Sequence, residues 1–397
     1  MKQFGDPEPT RMKIPTDVEK KQLWADYATG QPARVPLRWS LNPRIILLDP
    51  ALNPEGWEFA EYYRDPTVTL RVQARFQEYL ATTLSRTCDF QSQLPAEWSF
   101  RVDCQNIYDT AYFGAAPQFE PGQVPATTPP YTMDQVDEFL ARDFSQPLAN
   151  PWIQERLQFH AALVREAETF TYQGRSGKVA PLLFGFDGPL TVATDLFGTD
   201  LFLFLAMEPE KSRQLFQTIA EACLIRNQAL ARLFNQPVRP ESACLADDSI
   251  QLISTAMYEE LVMPVHAFWY DQSSASTVAN RRRSIHLCGD ATRHFPLIAK
   301  RLGVSAFDTG FPVDHGALRQ ALGPAVEISG GPRVAVLERG TPAACAAATR
   351  EILCSGIKTG RRFILQEANN LPPRVPLVNL QAVYETCLEY GGHSSGD

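Results

Sequence analysis

Along the second half of the chain, short apolar runs alternate with longer stretches of helical periodicity. The runs at 181–186, 243–246, 284–287, 305–308, 326–329 and 362–365 are four to six residues long, the length of a buried strand. Helix-sized segments follow at 209–233, 256–270, 293–302, 315–322 and 342–354, and a last one at 376–390. Continuous apolar strands alternating with helical crossovers build a parallel sheet covered by helices. Capping signals agree with the spacing. Thr341 precedes Pro342 as an N-cap with proline at the first helical position, and Ser355-Gly356 supplies the glycine beyond the C-terminus.

The first half is less regular. Residues 17–29 form an amphipathic stretch with Leu23, Trp24 and Tyr27 on one side, and 67–87 place Leu70, Val72, Phe76, Tyr79, Leu80 and Leu84 at helical spacing. The segment 98–103 reads as a strand that delivers Asp103 to its end. Residues 114–132, rich in Pro, Gly and Thr, read as a long loop, either a cover for the site or a surface excursion. The pattern predicts an α/β fold, a (β/α)8 TIM-type barrel with an N-terminal helical extension. Residues 1–60 would pack on a barrel formed by 61–397, as one structural unit.

Charge and composition narrow the partners. With 37 basic and 45 acidic side chains, a net charge of -8 and no basic stripe, nucleic acid is excluded as a partner. No apolar run reaches the ~20 residues of a membrane span, and the opening residues lack the apolar stretch of a signal peptide. The expected location is cytoplasmic. The eight cysteines are scattered without a C-x-x-C pair, and reduced thiols are expected.

The chemistry gathers where strands end. Asp103, Asp187, Asp247, Asp248, Cys288, Asp290, Asp308, Asn369 and Asn370 all fall just past apolar runs, which in a parallel barrel is one rim. His286 and Cys288 are two apart on a strand and point to the same side, so imidazole and thiolate can chelate one zinc-like ion. Asp247 or Asp248 would be the third ligand or a base; equally, Asp248 would only cap the next turn. His294 and His315 read as surface or capping residues. Gly330-Gly331-Pro332 is no nucleotide loop.

Four segments carry a resemblance. Phe186-Asp-Gly-Pro-Leu-Thr-Val-Ala-Thr194 is similar to a G-x-P-x-T-x-A-T turn. Leu252 to Pro264 matches the pattern of a helix with Tyr258 in it, His286-Leu-Cys-Gly289 is an H-x-C-G motif, and 371–379 resembles a P-P-x-T-P-x-E-N stretch. Together they resemble the uroporphyrinogen decarboxylase superfamily, nearer its zinc-dependent methyltransferases acting on cobalamin- or thiol-bound methyl groups than the true decarboxylases. The decarboxylases' arginine-glycine signature is absent from 34–44, and their tyrosine after the A-T pair falls on Asp195.

The resemblance implies a metal-dependent methyltransferase that moves a methyl group between a corrinoid or methylated small molecule and a thiol or similar acceptor. It implies zinc or another divalent metal on His286 and Cys288, with Asp248, or else Asp247 or another group, in place of the family's third ligand, and cobalamin as methyl carrier. Asp247, Asp248, Asn369 and Asn370 would be the catalytic or substrate-binding groups. The methyltransferases' third zinc ligand, a cysteine, falls on Asn369. A corrinoid protein would be the partner of a monomer or homodimer. The alternatives are a decarboxylase or lyase using a rim aspartate as acid or base, a divergent metalloenzyme of specialised metabolism, and a ligand-binding barrel without catalysis.

Overall fold

The computed structural model describes residues 14–393; residues 1–13, expected to lack a signal peptide's apolar stretch, lie outside them. Two short pairs precede the main sheet. β1 (Trp98–Phe100) and β4 (Gly177–Val179) pair in parallel, while β2 (Pro117–Gln118) and β3 (Ala126–Thr127) form an antiparallel pair within the 114–132 loop. Five parallel strands follow in sequential order: β5 (Ala243–Ala246), β6 (Arg283–Leu287), β7 (Val304–Thr309), β8 (Glu327–Gly330) and β9 (Phe363–Leu365).

Two irregular segments extend this sheet to seven of the wall segments of a distorted (β/α)8 barrel. On one side, Ala246 donates its N–H to the carbonyl of Phe186 at 3.1 Å, so the expected strand at 181–186 joins β5 without forming a regular strand. On the other side Leu37 pairs in parallel with Leu365, through bonds of 3.0 Å from Leu365 to Pro36 and from Arg38 to Leu365. Residues 36–38 are therefore part of the barrel wall. Leu245, Ile285, Leu287, Phe307, Ile328 and Leu365 are buried with Leu37 in one continuous core, as expected of strands covered on both faces.

The helices Pro209–Leu233, His315–Leu322 and Pro342–Cys354 occupy the spans their periodicity predicts. In the first, Leu215, Phe216, Ile219, Cys223 and Leu230 are fully buried at helical spacing. Asp17–Ala28 opens with a capping box between Thr16 and Glu19. Trp24 and Lys20 dock it by donating to the carbonyls of Asp89 at 3.0 Å and Phe90 at 3.1 Å, while the Asp89 carboxylate accepts two bonds from Arg34 and one from Tyr384 at 2.7 Å on the closing helix, Leu377–Tyr390.

An unpredicted helix, Pro151–Ala167, is capped by Asn150 and buries Trp152, Ile153, Arg156, Phe159 and Leu163. The segment Pro189–Phe197, read as a turn motif, is also a helix. Among the described residues no single helix is long and apolar enough to cross a membrane.

Candidate functional site

The carboxyl ends of the strands open into a cavity of about 550 Å³. Its wall holds His286 and Cys288 from the end of β6, Asp248 after β5, Asp187 and Asp195 from the 186–197 segment, and Asn369 to Pro373 after β9. Arg44 is the one guanidinium among its described lining residues, and Val124 reaches it from the 114–132 loop.

Asp247 and Asp248 are neighbours with opposite fates. Asp247 is fully buried and is not among the cavity residues. Its carboxylate accepts from the Leu190 N–H at 3.3 Å, the Thr191 N–H and hydroxyl at 2.8 Å each, and meets His266 Nε2 at 2.8 Å. It thus satisfies the first amides of helix Pro189–Phe197, whose entry requires Gly188 at a φ of 80°. A Cβ on Gly188 would come within 2.3 Å of the Ala246 carbonyl. Asp247 is a structural pin between that helix and β5, not a cavity-facing acid or ligand.

Asp248 begins the next turn and accepts the Cys288 N–H on Oδ1 at 2.6 Å. Ligand atoms of Asp248, His286 and Cys288 all lie within 4.8 Å of one another. Arg293 fastens the two loops that carry Asp248 and Cys288, donating to the carbonyls of Gln251, Ile253 and Asp290. Gly289 makes the close approach possible. Its φ of +69° favours glycine, and a Cβ there would lie 1.9 Å from Gln251 Oε1, so any larger residue would also have to push that side chain aside.

His286 is held from both sides. Nε2 lies 3.0 Å from Cys288 Sγ, and Nδ1 lies 2.8 Å from Asp308 Oδ2. Burial works to lower its pKa, but the bonds to Asp308 and Cys288 outweigh it and lift the imidazole to about 11. Burial raises the Cys288 thiol, and the partial opposition of His286 does not cancel that. A cation placed between these atoms would displace a proton from the pair and hold the sulfur as thiolate.

The facing wall is acidic. The Asp187 carboxyl is pushed up to about 8 by burial and by the charge of Asp109, against a hydrogen bond from Tyr108. Asp195 is raised to about 6 by the surrounding protein and by Asp109 and Asp247. Asp109 itself pairs with Arg226 at 2.8 Å, both buried. Asn369, at a φ of 105°, and Asn370 bring amide groups to the same cavity.

Other rim residues are placed elsewhere. Asp103 accepts from Tyr62 at 3.0 Å and from Gln105, outside the cavity, and Asp308 stands behind His286. His294 and His315, expected at the surface or in caps, are buried; His294 Nε2 meets the Ile250 carbonyl at 3.0 Å. All eight cysteines are free.

No curated protein matches the chain by sequence. Among solved structures, a methyltransferase from Methanosarcina mazei superposes with a TM-score of 0.62 at 18% identity, covering 94% of this chain and 98% of that one; it shares the barrel fold. The family model for uroporphyrinogen decarboxylase (URO-D) matches residues 110–390, more than half of the chain and all of β5 to β9. The chain belongs to the uroporphyrinogen decarboxylase family.

Proposed function

We propose that the protein is a metal-dependent methyltransferase in which Asp248, His286 and Cys288 hold a divalent cation, zinc by preference, at the wall of the barrel cavity. The observation that carries this reading is the meeting of three ligand atoms within 4.8 Å on one face of a polar cavity. The donor set suits zinc: imidazole nitrogen, thiolate sulfur and one carboxylate oxygen are all ordinary zinc ligands, and three protein ligands leave a fourth position for a substrate. Asn369, which falls where the related methyltransferases carry a cysteine, is a poor ligand beside a thiolate, and Asp248 takes that place.

When bound, the cation lowers the pKa of a substrate thiol and holds it as a thiolate nucleophile. The chain's own groups do the rest. Asn369 and Asn370 offer donors and acceptors to orient the acceptor molecule. Asp187, protonated near neutral pH, stands ready to give or take a proton across the cavity. Small-molecule methyl donors, or a corrinoid carried by a partner protein, would enter from the barrel rim.

Metal analysis of the purified protein and of His286→Ala and Cys288→Ser tests the site, and equal metal in all three removes it. Methyl transfer from methylcobalamin to a panel of thiols tests the activity. The raised Asp187 carboxyl also favours a second reading, a lyase that protonates a carbanion after loss of carbon dioxide. Carbon dioxide release from small carboxylic acids, abolished in Asp187→Asn, would select it.

A further inference from the structure

Behind His286 runs a chain of side chains whose hydrogen-bond direction is set at its far end. Arg38 Nε donates to Gln366 Oε1 at 3.0 Å, Gln366 Nε2 donates to Asp308 Oδ1, and Asp308 Oδ2 lies 2.8 Å from His286 Nδ1. Gln366 is fully buried, and Ser329, 3% exposed, lies beside Arg38.

A guanidinium has only donors. Gln366 must therefore turn its carbonyl to Arg38 and its NH₂ to Asp308. Asp308 then accepts on both oxygens, and His286 must place a hydrogen on Nδ1 to complete the line. The remaining nitrogen, Nε2, is the one that faces Cys288 Sγ.

We propose that Arg38, Gln366 and Asp308 are positioning residues that dictate which nitrogen of His286 meets the cation, by fixing the polarity of this line from outside the cavity. The inference rests on the metal reading above and adds to it three residues that touch neither cation nor substrate. Outer partners of a ligating histidine orient the ring and fix its tautomer, and their loss commonly lowers metal affinity by about 10- to 100-fold.

Reversing one member of the line separates polarity from simple mechanical support. In Asp308→Asn the shape is kept, but the Gln366 NH₂ still requires an acceptor. The new amide must then present its own NH₂ to His286 Nδ1, donor against donor. In the double variant Asp308→Asn with Gln366→Glu, the new carboxylate accepts from both Arg38 and Asn, which frees the Asn carbonyl for the Nδ1 hydrogen. Net charge is that of the wild type, and the direction of the line is restored.

The experiment measures zinc affinity by competition with a chromophoric chelator, alongside thermal unfolding of the zinc-free proteins. The expected result is a 10- to 100-fold loss of affinity in Asp308→Asn and recovery to within a few-fold of wild type in the double variant. Wild-type affinity in Asp308→Asn would overturn the proposal, as would a double variant no better than the single one while both unfold like wild type.

Should the single variant fail to fold, ¹⁵N spectra of the zinc-loaded wild type decide by themselves. Hydrogen on His286 Nδ1 and zinc on Nε2 support the proposal; the reverse assignment sinks it. A wild-type protein that binds no zinc at all fails the metal reading instead, and the two failures are thereby separate.

Discussion

Replacing Asp187 by Asn should stabilise the protein, and by an amount that grows with pH. The carboxyl is pushed from 3.8 to about 8 in the folded chain, chiefly by burial and by Asp109. A group whose folded pKa lies above its unfolded value binds its proton more tightly in the native state. Stability is then fully present below the unfolded value and falls as pH climbs toward the folded one.

The shift is roughly four units at ~1.4 kcal/mol each, an upper bound of about 6 kcal/mol above pH 8. The cavity is open to water, so a penalty of about 2–3 kcal/mol between pH 5 and 8 is the realistic expectation. Asn keeps an oxygen to accept from Tyr108, whose hydroxyl lies 2.5 Å from Asp187, but carries no charge.

The assay is urea unfolding of wild type and Asp187→Asn, both in chelator, at pH 5 and pH 8. The variant's advantage should be small at pH 5 and about 2–3 kcal/mol larger at pH 8. Asp195, raised to about 6, is present in both proteins and largely drops out of the difference. An advantage equal at the two pH values would refute the reasoning, because only ionisation of Asp187 in the folded chain makes it pH-dependent.

Asp247→Ala should lower stability by about 3–5 kcal/mol in denaturant unfolding, since it strands the Leu190 and Thr191 amides and His266 in the core. Gly289→Ala should lower it by about 1–3 kcal/mol, and Gln251→Ala in the same chain should recover the part owed to the 1.9 Å clash; thermal unfolding of the three proteins reads both effects. Asn369→Gly should be neutral or mildly stabilising and Asn369→Val destabilising by about 1–3 kcal/mol, because a φ of 105° suits glycine and punishes a branched side chain; unfolding midpoints distinguish the two.

The barrel was legible in the sequence where local rules decide. β5 and the helices Pro209–Leu233, His315–Leu322 and Pro342–Cys354 follow from apolar run length, periodicity and capping. What escaped depends on partners far away in the chain. Pro189–Phe197 looks like a turn because Gly188 and Pro189 dominate its start, and the carboxylate that satisfies its first amides is Asp247, 57 residues later. Strand 181–186 reads correctly as an apolar wall segment, yet Pro181 and Gly185 leave it little ladder to form.

The same holds at the site. The placement of His286 and Cys288 side by side at the cavity wall is legible because two-residue spacing on a strand is itself the signal. Asp247 and Asp248 were indistinguishable because burial beside His266, not sequence, turns one inward. Gln366 escaped because a lone glutamine after a strand carries no pattern, although its place after β9 is one of the rim positions.

The join between Leu37 and Leu365 has a consequence for the order of events at the ribosome. The barrel's first wall segment must wait for its neighbour until nearly the whole chain has been made, and so distant a contact forms late and slowly. Arg38 and Gln366 sit on the two edges of that join. A nascent chain can therefore bring Asp248, His286 and Cys288 together before Arg38, Gln366 and Asp308 form an unbroken line behind His286, and on the metal reading proposed above a cation captured then would be held loosely until the last strand arrives.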